Sequence, residues 1–200
     1  MKTNYVMIDF ENIAPDNLEL LDRDWIRVLL FVGKNQTKLP FPIVRTIQKM
    51  GERAQYVEMA GVGHNALDFH IAYYIGRISE SDKNAYFHII SNDSGFDPLI
   101  AHLKQQHIFA DRVASVDAIP AIIQARIADK TPKQKLELVK ANLFRENAPR
   151  PRTRKTLTSH ISAMFKVLPP EDVAVLVDSV FASGCARDTG KRIVYQDEQE

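Results

Sequence analysis

Cysteine is nearly absent from this chain of 200 residues, because Cys185 is the only one. A disulfide within the chain is therefore excluded, and so are zinc sites built on paired cysteines. Hydrophobic runs are short: charge or glycine interrupts each within about ten residues, below the roughly 20 that a membrane-spanning helix needs. The first residues lead into a strand-like run without the layout of a signal peptide. These absences predict a cytoplasmic globular protein with no membrane partner.

A large net charge is also lacking, since the sum is only +1 at pH 7, yet the charges are unevenly distributed. Up to Gln124 there are 12 basic and 15 acidic residues, and beyond it there are 14 basic and 10 acidic ones. A chain of this length has no room for two full-sized domains. We predict an acidic domain over residues 1–128 and a smaller basic domain over residues 129–200. Basic modules favour polyanionic partners, although a solvated basic surface would have the same composition.

Short strand-like runs alternate with helix-length amphipathic segments in the larger domain. The predicted strands cover residues 5–10, 26–32, 54–58, 85–91 and 112–116. The predicted helices cover residues 15–21, 41–50, 66–78, 96–107 and 119–128. This alternation is typical of an α/β fold in which helices flank a central parallel sheet. Functional residues of such sheets lie at the carboxyl ends of the strands.

The alternation stops after Asp129. Thr131-Pro132 is a plausible helix start, and further helices are predicted over residues 133–146, 153–165 and 170–182, with a final strand over residues 191–196. Three helices and a strand are the minimum of a winged helix–turn–helix module. We therefore predict a small, mainly helical, winged-helix-like second domain.

Four aspartates at the expected sheet edge are the candidate catalytic and metal-binding residues: Asp9, Asp68, Asp93 and Asp97. Asp9 closes the first strand, Asp93 follows the fourth, and Asp97 would share a helix face with Asp93 if the helix began at Asp93. Carboxylates gathered without matching cations indicate a hard divalent ion, Mg²⁺ or Mn²⁺. Taken singly, Asp68 or Asp97 could equally be a helix N-cap.

Polar residues around these acids are candidates for substrate binding: Asn12, Lys34, Asn65 and Asn92. Lys34 follows the second strand and so belongs to the same predicted edge. Three of them have an ordinary structural alternative, because Asn12 could be a turn residue, Lys34 a solvated loop lysine and Asn65 a helix cap.

A second candidate binding surface lies in the basic domain, where four cations fall within six positions: Arg150, Arg152, Arg154 and Lys155. They would stand at the amino end of the second helix of a helix–turn–helix, where backbone N–H groups also favour phosphate. The alternatives are a soluble loop or a surface that docks a protein partner.

Three segments carry a resemblance to a known family: residues 8–12 (Ile-Asp-Phe-Glu-Asn), 65–69 and 91–100. Together they resemble the signature segments of the NYN/PIN-like nuclease superfamily. The resemblance implies a compact α/β domain with metal-dependent ribonuclease activity, metal binding by Asp9, Asp68 and Asp93, and Asn12 beside them. Many NYN members have Asp-x-Asp-Phe in the third segment, whereas here Gly95 replaces the second aspartate and Asp97 follows the phenylalanine. The segment after residue 128 is similar to small winged-helix modules attached to some PIN-like proteins.

Three classes of function follow from these residues. The first is a metal-dependent endoribonuclease acting on single-stranded RNA, with a nucleic-acid-binding second domain. The alternative is a catalytically inactive nucleic-acid-binding or adaptor protein on the same fold, which Gly95 favours. A phosphoryl-transfer enzyme of the haloacid dehalogenase type ranks last, because that chemistry needs an aspartate where this chain has Glu11.

Overall fold

In the computed structural model, residues 2–61, 63, 65–146, 148, 150–166 and 168–196 are described. His64 and the last four residues, three of which are acidic, therefore lie outside the described residues. The chain folds into two compact units, residues 1–122 and residues 123–200. Each unit is described by itself below.

The first unit is built around a five-stranded parallel sheet. Its strands are β1 (Asn4–Asp9), β2 (Ile26–Val32), β3 (Ala54–Glu58), β4 (Tyr86–Ile90) and β5 (Phe109–Val113), and their order across the sheet is β3-β2-β1-β4-β5. The helices are α1 (Phe41–Met50), α2 (Ala66–Ser81), α3 (Phe96–Gln105) and α4 (Pro120–Ala128), of which α4 continues past the unit boundary. The predicted α/β fold with a central parallel sheet is confirmed.

The hydrophobic side chains of the central strands are buried on both faces of the sheet. Along β1, Val6 and Ile8 belong to one buried cluster and Met7 to the other. Residues Leu67, Ile71 and Ile75 of α2 cover the second face. Since each fully buried aliphatic side chain stabilises the fold by about 1.5–3 kcal/mol, these two layers stabilise the central strands from both faces.

Three strands are also aligned by a buried polar group. His88 of β4 lies with Nδ1 2.7 Å from Asp111 Oδ1 on β5 and with Nε2 2.9 Å from Asn4 Oδ1 on β1. Burying an imidazole costs free energy because its hydrogen bonds to water are lost, and hydrogen bonds to these partners replace them. The contacts therefore favour one register of β1, β4 and β5.

The strand order places a topological switch between β1 and β4. From β1 the chain builds outward through β2 and β3, and α2 then carries it back to β4 on the other side of β1. In open parallel sheets the loops that leave such neighbouring strands diverge, and ligands bind in the crevice outside their carboxyl ends. The residues that follow Asp9 and Ile90 flank this crevice.

Two predicted elements of the first unit differ from the structure. The fifth strand begins at Phe109 and not at 112, because its pairing with β4, from Tyr86↔Phe109 onward, sets its position. The predicted helix over residues 15–21 is a single 3₁₀ turn, Leu18–Leu21, preceded by Asn17 in the left-handed conformation (φ 58°). A left-handed residue cannot belong to a right-handed helix, so the helix cannot begin before it.

The second unit contains three further helices and a small antiparallel sheet. The helices are α5 (Pro132–Leu143), α6 (Arg154–Met164) and α7 (Pro170–Ala182), and the strands are β6 (Ala186–Asp188) and β7 (Ile193–Tyr195). Thr131 caps α5 with Pro132 at its first position, as predicted, and Thr153 caps α6. Strand β6 was not predicted, since three residues carry too little pattern. Within the described residues, no helix is long and apolar enough to cross a membrane.

Candidate active site

Asp9 is the last residue of β1 and is completely buried at the crevice. Its Oδ1 accepts a hydrogen bond from the backbone N–H of Asn12 at 3.2 Å, and its Oδ2 accepts one from Asn12 Nδ2 at 2.7 Å. The Ser91 hydroxyl donates a third bond to Oδ2 at 2.9 Å. All three donors are neutral, and in the described part of the chain no cationic side chain pairs with Asp9.

A buried carboxylate without a cation is unusual, because removing a charge from water costs several kcal/mol unless an opposite charge compensates. A carboxylate has about four acceptor positions, and the three hydrogen bonds leave one on Oδ1. Asp9 is therefore oriented by three hydrogen bonds, with one acceptor position on Oδ1 that none of them fills.

Ser91 links the ends of β1 and β4. Besides donating to Asp9, its fully buried Oγ accepts a hydrogen bond from the backbone N–H of Asp93 at 3.0 Å. Ser91 was assigned no role from the sequence. Ser91 could have been found from its position directly after a buried apolar strand. A hydroxyl buried there needs a nearby polar group as its hydrogen-bond partner.

Asp93 is exposed, and its carboxylate folds back on the following turn. Asp93 Oδ1 accepts a hydrogen bond from the backbone N–H of Gly95 at 2.7 Å, and a Cβ at position 95 would lie 3.1 Å from that oxygen. Gly95, which departs from the NYN pattern, therefore leaves space for the Asp93 carboxylate because it has no Cβ. Helix α3 begins at Phe96 and not at Asp93, so the condition under which Asp93 and Asp97 would share a helix face is not met.

Asp97 forms a two-point ion pair with Arg112. Arg112 Nε lies 2.8 Å from Asp97 Oδ1 and its Nη2 lies 3.1 Å from Oδ2, while Nη1 donates to the Ser91 carbonyl oxygen at 3.4 Å. The hydrogen bonds from Arg112 hold the pKa of the Asp97 carboxyl below its usual range. The same bonds, with the field of Asp97 and then of Asp93, raise the pKa of Arg112.

Arg112 is the second site residue that was not found from the sequence. The predicted fifth strand began at residue 112, which placed Arg112 at the amino end, far from the acids. The observed β5 ends at Val113, so Arg112 lies next to the carboxyl end. The observed strand begins three residues earlier than the predicted one, and this difference places the positive charge of Arg112 in the candidate site.

The other candidate residues of this unit differ in burial and in their hydrogen-bond partners. Asp68 lies half-buried in the first turn of α2 and has a partner within the chain. Asn65 precedes α2 in the left-handed conformation (φ 60°), and its side chain makes no capping bond. Lys34 and Asn92 are exposed in the segments that follow β2 and β4. The Glu11 carboxylate lies over Gly33, where a Cβ would overlap it.

These donors fit a hard divalent cation in kind, because they are carboxylate, amide and hydroxyl oxygens. Asp9 fits best, since it is buried, rigid and uncompensated. Asp97 is already neutralised by Arg112, and among the described residues no three His, Cys, Asp or Glu side chains come together as a set that could hold a metal ion. The four aspartates therefore do not form one preformed cluster.

The basic residues of the second unit separate into two groups. Arg154 pairs with Asp178 of α7 and lies over the Phe181 ring, 5.2 Å from its centroid, and Lys155 is exposed on α6. Arg150 and Arg152 instead flank the buried Pro151 before that helix. Arg154 and Arg150 therefore have different partners, although the two are close in sequence.

Open parallel α/β sheets of this kind bind their ligands in the crevice outside the carboxyl ends of the strands, at the switch point where Asp9 lies. A family model for the PIN domain matches residues 3–113, more than half of the chain. The chain therefore belongs to the PIN domain family, whose members are generally metal-dependent nucleases. No curated protein and no solved structure matched the chain in the two other comparisons.

Proposed function

We propose that this protein is a metal-dependent endoribonuclease of the NYN type that hydrolyses single-stranded RNA in the cytoplasm, with Mg²⁺ or Mn²⁺ as its cofactor. The observation that carries the proposal is the buried Asp9 carboxylate, which three neutral donors orient and no cation of the described residues compensates. It stands at the switch point of the sheet, the edge at which parallel α/β domains bind their substrates.

The side chains have distinct roles in this proposal. Asp9 and Asp93 are ligands of the metal ion, with Asp68 as a further ligand or, through water, a general base. Asn12 and Ser91 fix the orientation of Asp9 by their hydrogen bonds. A bound divalent ion would lower the pKa of a coordinated water, whose proton Asp68 could accept, and would offset the charge that develops on the phosphate.

The substrate phosphodiester is held by the polar groups around the acids. Lys34 supplies a positive charge, and Asn65 and Asn92 supply amide donors. The second unit adds affinity without sequence preference through phosphate contacts. Its three helices and antiparallel β6–β7 pair support the winged-helix-like assignment.

An inactive nucleic-acid-binding or adaptor protein on this fold is the second candidate. It is favoured by the Asp97–Arg112 ion pair, which neutralises one predicted ligand. In that case the second unit would carry the function, either on nucleic acid or on a protein partner.

The proposal predicts cleavage of single-stranded RNA by the purified protein in the presence of Mg²⁺ or Mn²⁺. EDTA should abolish cleavage, and an excess of divalent ion should restore it. The assay uses an end-labelled RNA and a DNA of the same sequence, with product length showing whether cuts are internal. Metal binding seen by a change in melting temperature, without turnover on any strand, would favour the adaptor function.

Arg112→Gln should raise the affinity for Mn²⁺, because it removes a positive charge next to Asp93 and Asp97. It should also slightly destabilise the protein at neutral pH, as expected for an exposed ion pair. Because Arg112 lowers the folded-state pKa of Asp97, this stabilisation exists above the ordinary aspartate pKa of about 3.9 and is lost as the pH falls through the lowered value.

Thermal melts at several pH values, with and without Mn²⁺, check both effects. Arg27→Gln is the matched control, since Arg27 lies near the amino end of β2, at the opposite edge of the sheet. Equal Mn²⁺ affinities in the wild type and Arg112→Gln would contradict the placement of Arg112 beside the metal ligands.

A further inference from the structure

A groove of about 530 Å³ lies between β7 and the segment that precedes α6. Its volume is in the range of ligand-binding clefts, roughly 300–1,000 Å³. Three of the side chains that line it are arginines, Arg150, Arg152 and Arg192, and among the described residues none that lines it is acidic. Arg192 lies 40 positions beyond Arg152 in the sequence, so only folding brings the two side chains to the same groove.

Backbone and side-chain hydrogen bonds hold the two walls together. The Ile193 N–H donates to the Arg152 carbonyl oxygen at 2.8 Å, which brings Arg192 beside Arg152. The Tyr195 hydroxyl donates to the Pro151 carbonyl oxygen, also at 2.8 Å. Burial raises the pKa of Tyr195 to about 12, so this phenol stays protonated and keeps donating at any physiological pH.

Arg150 is held in place before any ligand arrives. Its guanidinium lies 4.9 Å from the Phe144 ring centroid and 5.9 Å from that of Tyr195, and its Nε donates to the Leu143 carbonyl oxygen at 3.2 Å. A guanidinium fixed in this way loses less conformational entropy when it binds an anion. Arg152 and Arg192 are exposed beside it.

We infer that this groove binds the phosphate groups of a nucleic acid strand through Arg150, Arg152 and Arg192. Guanidinium groups bind phosphate oxygens through two parallel hydrogen bonds, and the described residues that line the groove include three arginines and no acidic residue. The inference rests on the proposed function for the identity of the ligand, but binding requires neither the metal nor cleavage. It also moves the contact surface from the cluster Arg150–Lys155 to a groove that excludes Arg154 and Lys155.

The test is the salt dependence of RNA binding, measured by fluorescence anisotropy with a labelled single-stranded oligonucleotide in EDTA. The double variant Arg152→Ala/Arg192→Ala should lower the slope of log affinity against log salt by about 1.4 units, since each phosphate contact on a single strand contributes about 0.7. The matched control is Lys133→Ala/Lys166→Ala, which removes two exposed charges of the same unit outside the groove. The control should keep the wild-type slope.

A charge-preserving variant, Arg152→Lys/Arg192→Lys, separates the geometry from the charge. It should bind more weakly than the wild type and more tightly than the alanine variant, because lysine cannot form the two-point contact. Thermal melts establish that each variant is folded.

Equal slopes in the groove variant and the control would overturn the inference, because only net charge would then matter. Wild-type RNA affinity in the groove variant would also overturn the inference. An acidic protein surface would then be the remaining ligand for the groove. Failure of the proposed nuclease is a separate result, since Asp9→Asn should bind RNA with the wild-type slope in EDTA whether or not the wild type cleaves.

Discussion

Asp9→Asn should abolish RNA hydrolysis and the stabilisation of the protein by Mn²⁺. The substitution keeps the shape of the side chain but removes the negative charge, and the atom that replaces one carboxylate oxygen is an N–H donor that cannot bind a cation. Loss of a group that merely supports a metal ligand costs about 10–100-fold in metal affinity or activity. We therefore expect loss of the ligand itself to lower kcat/KM by more than about 100-fold.

The stability of the metal-free protein should change little or increase in this variant. Asp9 is a buried charge among neutral donors, so its neutralisation removes a desolvation cost, while the Asn12 amide can turn to accept a bond from the new side chain. Thermal melts in EDTA and in Mn²⁺ measure both effects. Asp24→Asn is the matched control, because Asp24 is exposed before the amino end of β2 and should behave as the wild type. A Mn²⁺-induced stabilisation of wild-type size in Asp9→Asn would rule out the proposed site.

Ser91→Ala should lower Mn²⁺ affinity and kcat/KM by about 10–100-fold, as expected when a group that orients a ligand is lost. The hydroxyl donates to Asp9 and accepts from the Asp93 N–H, so its removal loosens both ends of the crevice. It also leaves a backbone donor unsatisfied, which costs about 1–3 kcal/mol of stability.

Titration of Mn²⁺ into the metal-free protein, alongside steady-state cleavage and thermal melts, separates these effects. Ser81→Ala removes a hydroxyl from the exposed end of α2 and is the control. A Ser91→Ala protein that melts at a lower temperature but binds Mn²⁺ and cleaves RNA as the wild type does would assign Ser91 a structural role only.

Much of the first unit could be predicted from local pattern. The apolar runs that become β1 and β2 are buried on both faces, and such runs are recognisable because a central parallel strand needs hydrophobic residues at every position. Leu67 and Ile71 recur at helical spacing, which indicates one buried helix face, and both are buried in α2. The start of α5 at Thr131-Pro132 followed from capping chemistry that acts within one turn.

The candidate site was only partly predictable, for a physical reason. Asp9 could be chosen as a candidate because its position at the end of a buried strand follows from the local pattern. The partners of Asp97 could not, because the register of β5 against β4 is set by pairing between segments distant in sequence. An error of three residues there was enough to hide Arg112.

The sequence by itself determined the parallel α/β domain, the aspartate at the end of its first strand and the helical, basic character of the second unit, because burial periodicity, capping and composition are local properties. Only the tertiary structure decided that Ser91 joins Asp9 to Asp93, that Arg112 neutralises Asp97, and that Arg192 lines the same groove as Arg152. Each of these contacts joins separate loops or strands, and hydrogen bonds and ion pairs act only over a few ångströms that the folded chain alone provides.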